Sequence, residues 1–560
     1  HRKHKKHHVC QPSNGLQRIV CSIHCCIPTE RSAPLLCILV YKNYKNCLNN
    51  LLSWLKIYLN RLSFNLVLTI MINNKVQLIT YADRITGQGI DELSNLLNGP
   101  LNNVFAGVHL LPFYNPIDGS DAGFDPIDHS EVDSRLGSWD DINVLGANYD
   151  LMADLIVNHV SAQSFQFKDV LAKGKQSEFW DLFLTKDDVF PNGMSEAEQQ
   201  AIYRPRPGSC FTPIACSDGQ TYDFWTTFTD NQIDINVKST AGIEYLNTVL
   251  GKFADNNVNI IRLDAAGYAI KEAGTNCFML DETFEYLNKL SAQANEAGME
   301  TIAEIHSHFQ TQVEVAKRVN MVYDFALPPL ILHSLFSNDA QALLNWLTIS
   351  PRNCLTVLDT HDGIGIIDAG PMGDKPGLLN AAEIDNLVET IHEKSEGQSR
   401  LATGAAASNV DLYQVNCTYY NALGADDFDY LLARAIQFFA PGIPQVYYGG
   451  LFACENDMEL LARTNVGRDI NRPYLNAQDI DAALAKPVVK GLIKLIQLRN
   501  EHPAFNGEFI AKGEGSVCRL SWHDDTSSIE LKVDFASREV IIVDHRDGEQ
   551  NIVDLADFLA

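Results

Sequence analysis

The chain is 560 residues long and 46% hydrophobic, which allows a large core and, on length alone, roughly two to four domains. Lys+Arg 43 against Asp+Glu 70 gives a formal net charge of -27, a balance that repels nucleic acid and anionic membrane and excludes both as partners. The 13 cysteines show no CxxC pair and no zinc-ligand spacing. Cys210, Cys216, Cys277, Cys354, Cys417, Cys454 and Cys518 are scattered, as the reduced thiols of a cytoplasmic protein are.

Residues 1–70 differ in style. They carry Arg2, Lys3, Lys5, Lys6, Arg18, Arg31, Lys42, Lys45, Lys56 and Arg61 against one acid, Glu30, and hold no methionine. The apolar run at 35–40 is too short and too far in for a signal-peptide core. Lys56 and Arg61 interrupt the next run, so no span of about 20 apolar residues forms. The stretch reads as a non-native or disordered extension, and the fold is expected to begin at Met71.

From Met71 onward, short apolar runs alternate with helical patterns. Residues 76–79 lead into Thr80-Tyr81-Ala82-Asp83, 107–111 into Pro112-Phe113, and 155–157 into Asn158-His159. Residues 258–263 close on Asp264, 301–303 on Glu304-Ile305-His306, and 321–325 follow. Residues 355–358 close on Asp359-Thr360-His361-Asp362, and 443–448 on Gly449-Gly450. Helical patterns lie between them, for example at 241–254, 284–297 and 428–440. Eight such units predict an α/β fold, a (β/α)8 barrel. Two connections are too long for ordinary loops and are expected to be inserted subdomains after strands 3 and 7. Beyond about residue 506, Ile529, Leu531, Val533 and Phe535 alternate with Glu530, Lys532 and Asp534, which predicts a small antiparallel β domain. The expected division is 1–70 extension, 71–158 barrel, 159–235 first insertion, 236–363 barrel, 364–425 second insertion, 426–505 barrel and 506–560 β domain.

The fourth unit carries the most chemistry. Val258, Ile260, Ile261 and Leu263 enclose Arg262, and the run stops at Asp264 and two small residues. A strand buried on both faces reads this way when it delivers charges at its C-terminal end, where barrel enzymes keep their sites. Arg262 and Asp264 are two apart and point the same way on a strand. A neighbouring cation keeps a carboxylate ionised, as a nucleophile requires; a structural ion pair is the plainer reading of these two residues alone.

The strand ends together bring Asp154 and His159, Arg262 and Asp264, Glu304 and His306, and His361 and Asp362 to one rim. Several buried acids need a reason, because unpaired buried charge is costly. Glycosidic bond cleavage supplies one: it passes through an oxocarbenium-like cation and uses two carboxyls. Asp264 would be the ionised nucleophile. Glu304, flanked by Ala303 and Ile305 with no adjacent cation, would have a raised pKa and act as acid, then base. Asp362 would steady the cation, and the histidines would donate to sugar hydroxyls. Two other readings stay open. His159, His306, His361 and Asp362 could ligate a divalent metal, although the nearest motif, His306-Ser307-His308, would put both rings on one side of a strand. The barrel could also bind sugar without turning it over.

Asp154-Leu155-Ile156-Val157-Asn158-His159, Arg262-Leu263-Asp264-Ala265, Glu304-Ile305-His306 and His361-Asp362 resemble the signature regions of the α-amylase family of retaining glycoside-active enzymes. Longer segments are similar to a phosphorolytic branch of that family. They are Gln77-Leu78-Ile79-Thr80-Tyr81-Ala82-Asp83-Arg84, Asp121-Ala122-Gly123-Phe124-Asp125-Pro126-Ile127-Asp128-His129, Tyr203-Arg204-Pro205-Arg206-Pro207-Gly208, Ala405-Ala406-Ala407-Ser408-Asn409-Val410-Asp411-Leu412-Tyr413-Gln414-Val415-Asn416 and Gly467-Arg468-Asp469-Ile470-Asn471-Arg472.

The resemblance implies phosphorolysis of sucrose to α-glucose 1-phosphate and fructose. In it Asp264 is the nucleophile, Glu304 the acid/base and Asp362 the transition-state stabiliser. It implies a closed glucosyl pocket lined by Asp121, Phe124, His159, Arg262, His361 and Arg468, and an acceptor side built from Arg206, His306, Val410, Asp411, Tyr413 and Gln414. Arg206, fixed between Pro205 and Pro207, suits a phosphate fork; a domain-packing arginine and a loop-packing Tyr413 are the plainer readings. Phosphate is a co-substrate and no cofactor is implied. Many members of the family hold calcium near the third-strand Asn–His, but this branch implies no metal. The partners implied are sucrose and phosphate, with a monomer or homodimer as the working form. The same three carboxylates also serve sucrose or α-glucoside hydrolases and transglucosidases, so the acceptor loop decides between them.

Overall fold

A computed structural model describes residues 72–119, 121–204, 208–403, 412–546 and 548–560. The expected extension therefore lies outside the described residues, as do Arg206, Val410 and Asp411.

The parallel strands β1 (Gln77–Thr80), β2 (Gly107–Leu110), β3 (Asp150–Ile156), β4 (Ile260–Asp264), β5 (Glu300–Ala303), β6 (Met321–Asp324), β7 (Cys354–Thr356) and β8 (Ile443–Tyr447) close a barrel in sequence order, β8 pairing back onto β1. These short strands are buried almost throughout, as the apolar runs foretold. β3 is longer than the run at 155–157. Leu151, Met152 and Ala153 belong to it too, but Asp150 and Asp154 break up the apolar signal. Asp154 is tolerated inside the barrel because His109 of β2 and Arg262 of β4 satisfy its two oxygens.

Amphipathic helices cover the outside. Thr240–Asp255 starts where the Ser239 hydroxyl accepts from Gly242 N–H, and it buries Leu246, Val249, Leu250 and Phe253. Asp281–Glu296 follows β4, and Asp427–Phe439, capped by Asp426, precedes β8.

Two segments leave the C-terminal rim. Between β3 and β4, His159–Ser161 pairs antiparallel with Gln232–Asp234 and so draws the insertion's ends together. A hairpin of Phe211–Ala215 and Thr221–Trp225 packs Phe190, Cys210, Phe211, Trp225 and Cys277 into a separate small core. After β7, a helical segment includes Ala381–Lys394, with Asn380 and Glu383 forming a capping box. There Ile364–Gly365 pairs with Gln414–Val415, which carries Gln414 back to the rim. An added methyl at Gly363 would lie 2.8 Å from the Val415 carbonyl, so this close approach requires glycine.

The chain ends in a five-stranded antiparallel sheet: β9 (Glu508–Glu514), β10 (Val517–His523), β11 (Ser528–Asp534), β12 (Glu539–Arg546) and β13 (Glu549–Asp554). Ile529, Leu531 and Val533 form its buried face. Trp522 fastens the sheet to the barrel by donating from Nε1 to the Phe439 carbonyl at 2.8 Å.

Candidate active site

The site is built from the barrel floor upward. His109 Nε2 lies 2.9 Å from Asp154 Oδ2, and Asp154 Oδ1 lies 2.5 Å from Arg262 Nη1. The same Arg262 nitrogen donates to Asp264 Oδ1 at 2.7 Å, and Arg262 Nη2 stands 3.8 Å from Glu304 Oε1. One guanidinium thus serves three acids from three adjacent strands. Asp154 lies below the rim, inside the barrel, rather than on it as expected. Burial alone would raise its pKa, but His109 and Arg262 outweigh this and hold it down at about 2.

Asp264 ends β4. The next residue, Ala265, takes a left-handed backbone (φ 53°) and donates its N–H to Glu304 Oε2 at 3.3 Å. Strain in the turn thereby links the two acids. Burial pushes the Asp264 carboxyl up to about 8; the charges of Glu304 and Asp154 add to the rise, and Arg262 opposes it. Arg262, expected to serve Asp264, divides its charge among three carboxylates. Glu304 also differs from expectation. It is not without cations, since Arg262 stands 3.8 Å away and His306 Nε2 3.7 Å away.

Across the pocket, Asp362 Oδ1 meets Arg468 Nη1 at 2.8 Å and Arg472 Nη2 at 3.9 Å. Burial would raise this carboxyl, but Arg468, His361 and Arg472 hold it far below the usual range. Arg472 also donates from Nε to the His361 carbonyl at 2.7 Å, which steadies both residues of the motif. His361 stacks on Phe124 with ring centroids 4.8 Å apart, and Arg262 lies 5.6 Å from the same Phe124 ring. His159 donates from Nε2 to the Phe124 carbonyl at 2.9 Å, while Gln232 approaches both His159 and Asp121. The residues expected to line a glucosyl pocket therefore converge.

On the acceptor side, Gln414 touches three neighbours. Its Oε1 accepts from Gly363 N–H and Arg468 Nη2 at 3.3 Å each, and its Nε2 lies 3.4 Å from His306 Nε2. Tyr413 sits edge-on to His306 at 5.3 Å. His308 turns away from the rim. It caps the helix Phe309–Ala316 through Nδ1 and its Nε2 donates to the Pro376 carbonyl, so the paired-ring expectation does not hold. β5 stops at Ala303, and beyond it the chain loses its strand alternation.

Sequence reading missed several participants. Phe228 packs on His159 and Tyr268, and Tyr203 and Phe278 extend that aromatic wall. Arg472 lay within a quoted segment but was not singled out. Lys271 is buried, and its Nζ reaches Asp234 Oδ2 at 2.5 Å and Asn158 Oδ1 at 2.7 Å. The oxygens beside the third-strand Asn–His thus face an ammonium that the chain itself supplies.

A closed parallel barrel with this rim defines an α-amylase-type catalytic domain. The family described as "Alpha amylase, catalytic domain" matches residues 104–334. A sucrose phosphorylase of Agrobacterium vitis is 60% identical over 471 residues, 84% of this chain and 96% of that relative. Another sucrose phosphorylase, from Bifidobacterium adolescentis, is 51% identical, covering 82% of this chain and 92% of that relative. The crystal structure of sucrose 6F-phosphate phosphorylase from Thermoanaerobacter thermosaccharolyticum aligns with a TM-score of 0.80 at 37% identity, over 86% of this chain and 99% of that one. The chain belongs to the sucrose phosphorylase family, within the α-amylase family of retaining glycoside-active enzymes.

Proposed function

We propose that the protein catalyses the reversible phosphorolysis of sucrose to α-D-glucose 1-phosphate and D-fructose by double displacement. The observation that carries this is the single Arg262 guanidinium shared by Asp264 and Glu304 on neighbouring strands, with Asp362 opposite under Arg468. Sucrose enters with its glucosyl ring against Phe124. Glu304 gives its proton to the fructosyl oxygen as Asp264 bonds to the anomeric carbon and the glycosidic bond breaks. Fructose leaves. Phosphate then attacks the same carbon from the face fructose left, the ester to Asp264 breaks, and the phosphate proton passes to Glu304. Two inversions give net retention. Asp362, held ionised by Arg468, faces the positive charge that develops on the ring.

We assign no metal to this chemistry. Glu304, His306 and Asp362 do have ligand atoms within 4.8 Å of one another. Arg262, Arg468 and Arg472 already surround those acids and oppose a divalent cation by charge. No helix among the described residues is long and apolar enough to cross a membrane. The cysteines among the described residues are free, and we place the reaction in the cytoplasm. The pocket described here uses residues of one chain, so a monomer or a homodimer serves it equally.

The test is incubation with sucrose, with and without inorganic phosphate. Glucose 1-phosphate formed only when phosphate is present is the expected result. Glucose released at the same rate in both would replace this reading with a hydrolase or transglucosidase. No turnover would leave a sugar-binding barrel.

A further inference from the structure

One buried acid beside the pocket has no place in the reaction as described. Asp368 lies in the loop after β7 and is fully buried. Its Oδ2 accepts from His306 Nδ1 at 2.9 Å, and its Oδ1 accepts from Ser307 N–H at 3.1 Å and Gln312 Nε2 at 2.7 Å. An added methyl at Gly365 would lie 2.3 Å from Asp368 Oδ2, so the carboxylate fills the space over that glycine. The His306 ring is clamped as well, stacked on Phe325 at 3.7 Å with Tyr413 against its edge.

A carboxylate on Nδ1 fixes which ring nitrogen carries the first hydrogen, and it favours a second on Nε2. That second nitrogen lies 3.7 Å from Glu304 Oε1 and 3.4 Å from Gln414 Nε2, an amide nitrogen that itself donates, so a hydrogen on the ring nitrogen turns toward Glu304. Three charged groups act most strongly on the ring: Asp368 from the loop after β7, Glu304 from the end of β5, and Asp362 from the opposite side of the pocket. All three are acids, and Arg262 and Arg468, paired with Glu304 and Asp362, oppose them. Burial would lower the imidazole, but Asp368, Glu304 and Asp362 together raise it above its ordinary value.

We propose that Asp368 is a positioning residue that holds His306 as an imidazolium, with its Nε2–H turned toward Glu304 on the acceptor side. The inference rests on the phosphorolysis reading. When fructose has left, Glu304 is a carboxylate and the next reactant is an anion. An imidazolium between them offsets that repulsion in the second half-reaction only.

The test pairs a spectroscopic readout with a kinetic one. In the full-length protein labelled with 15N-histidine, the His306 ring nitrogens, assigned by their loss in His306→Gln, are followed against pH. Both nitrogens are expected to carry hydrogen at pH 7. Asp368→Asn should move the ring titration down by at least about one pH unit. Gln312→Leu, which removes a competing donor from Asp368, should move it up. In rapid-mix assays Asp368→Asn should raise the KM for phosphate about tenfold, while the burst of fructose release from sucrose changes less than about threefold. Asp368→Glu should recover part of the phosphate affinity. A His306 titration unmoved in both variants would overturn the proposal, and so would an equal loss in both half-reactions at unchanged phosphate KM. Failure of the unaltered protein to make glucose 1-phosphate would strike the functional reading instead, because the NMR titration needs no turnover.

Discussion

At the scale of single residues, Asp264 carries two opposed demands. Its carboxyl is pushed up to about 8 from an ordinary value of 3.8. The crowded acids together therefore hold a proton in the native state at a pH where the unfolded chain has released it, and stability contributed at this site is lost as pH rises from about 4 to about 8. Asp264→Asn removes that penalty. Calorimetry should show a melting temperature a few degrees higher than the parent at pH 7–8 and no gain near pH 4, while turnover of sucrose falls by several orders of magnitude. A variant that kept near-normal activity would remove Asp264 from the nucleophile's role. Glu304→Gln should behave differently: sucrose turnover should collapse, whereas a glucosyl donor with a good leaving group, such as α-glucosyl fluoride, should lose far less. Equal losses on both donors would mean that Glu304 is not the acid. The motif residues were legible because each stood at the abrupt end of an apolar run. The upward push on Asp264 was not, because the sequence displayed one cation beside it and hid the acids that three-dimensional closure adds.

Among the elements, the strands that read best were the short apolar ones ending on a polar residue, such as β4 and β5. β3 read worst, since Asp154 looks like an interruption until His109 and Arg262 are brought from neighbouring strands to meet it. The insertions announced themselves by length, but their inner order did not. Nothing in Asp230-Asn231-Gln232-Ile233-Asp234 foretells that Gln232 faces the pocket while Asp234 turns to Lys271. That ion pair joins the insertion to the chain just beyond β4, and both partners are buried. Lys271→Met takes the cation from Asp234 and leaves it the Thr227 N–H and hydroxyl as donors, so a loss of roughly 3–5 kcal/mol is expected, read as a lower urea midpoint. A stability unchanged by the substitution would show that Asp234 finds another partner.

On the scale of the whole molecule, residues 72–560 contain a barrel whose first and last strands close on each other, both excursions from its rim, and a sheet held down through Trp522. A chain trimmed to start at Met71 is therefore expected to keep full turnover and melting temperature. Insoluble or inactive trimmed protein would assign residues 1–70 a part in the fold. On this assignment, the acids that break the bond stand at or beyond the ends of staves that brace one another around a closed ring. Tyr413 and Gln414, which face the incoming reactant, hang on the lobe that follows β7. Such a division lets a lineage exchange one recipient for another by drift in that lobe, while the bond-breaking machinery stays as it was. Enzymes of this design should diversify in what they hand glucose to and remain conservative in what they take it from.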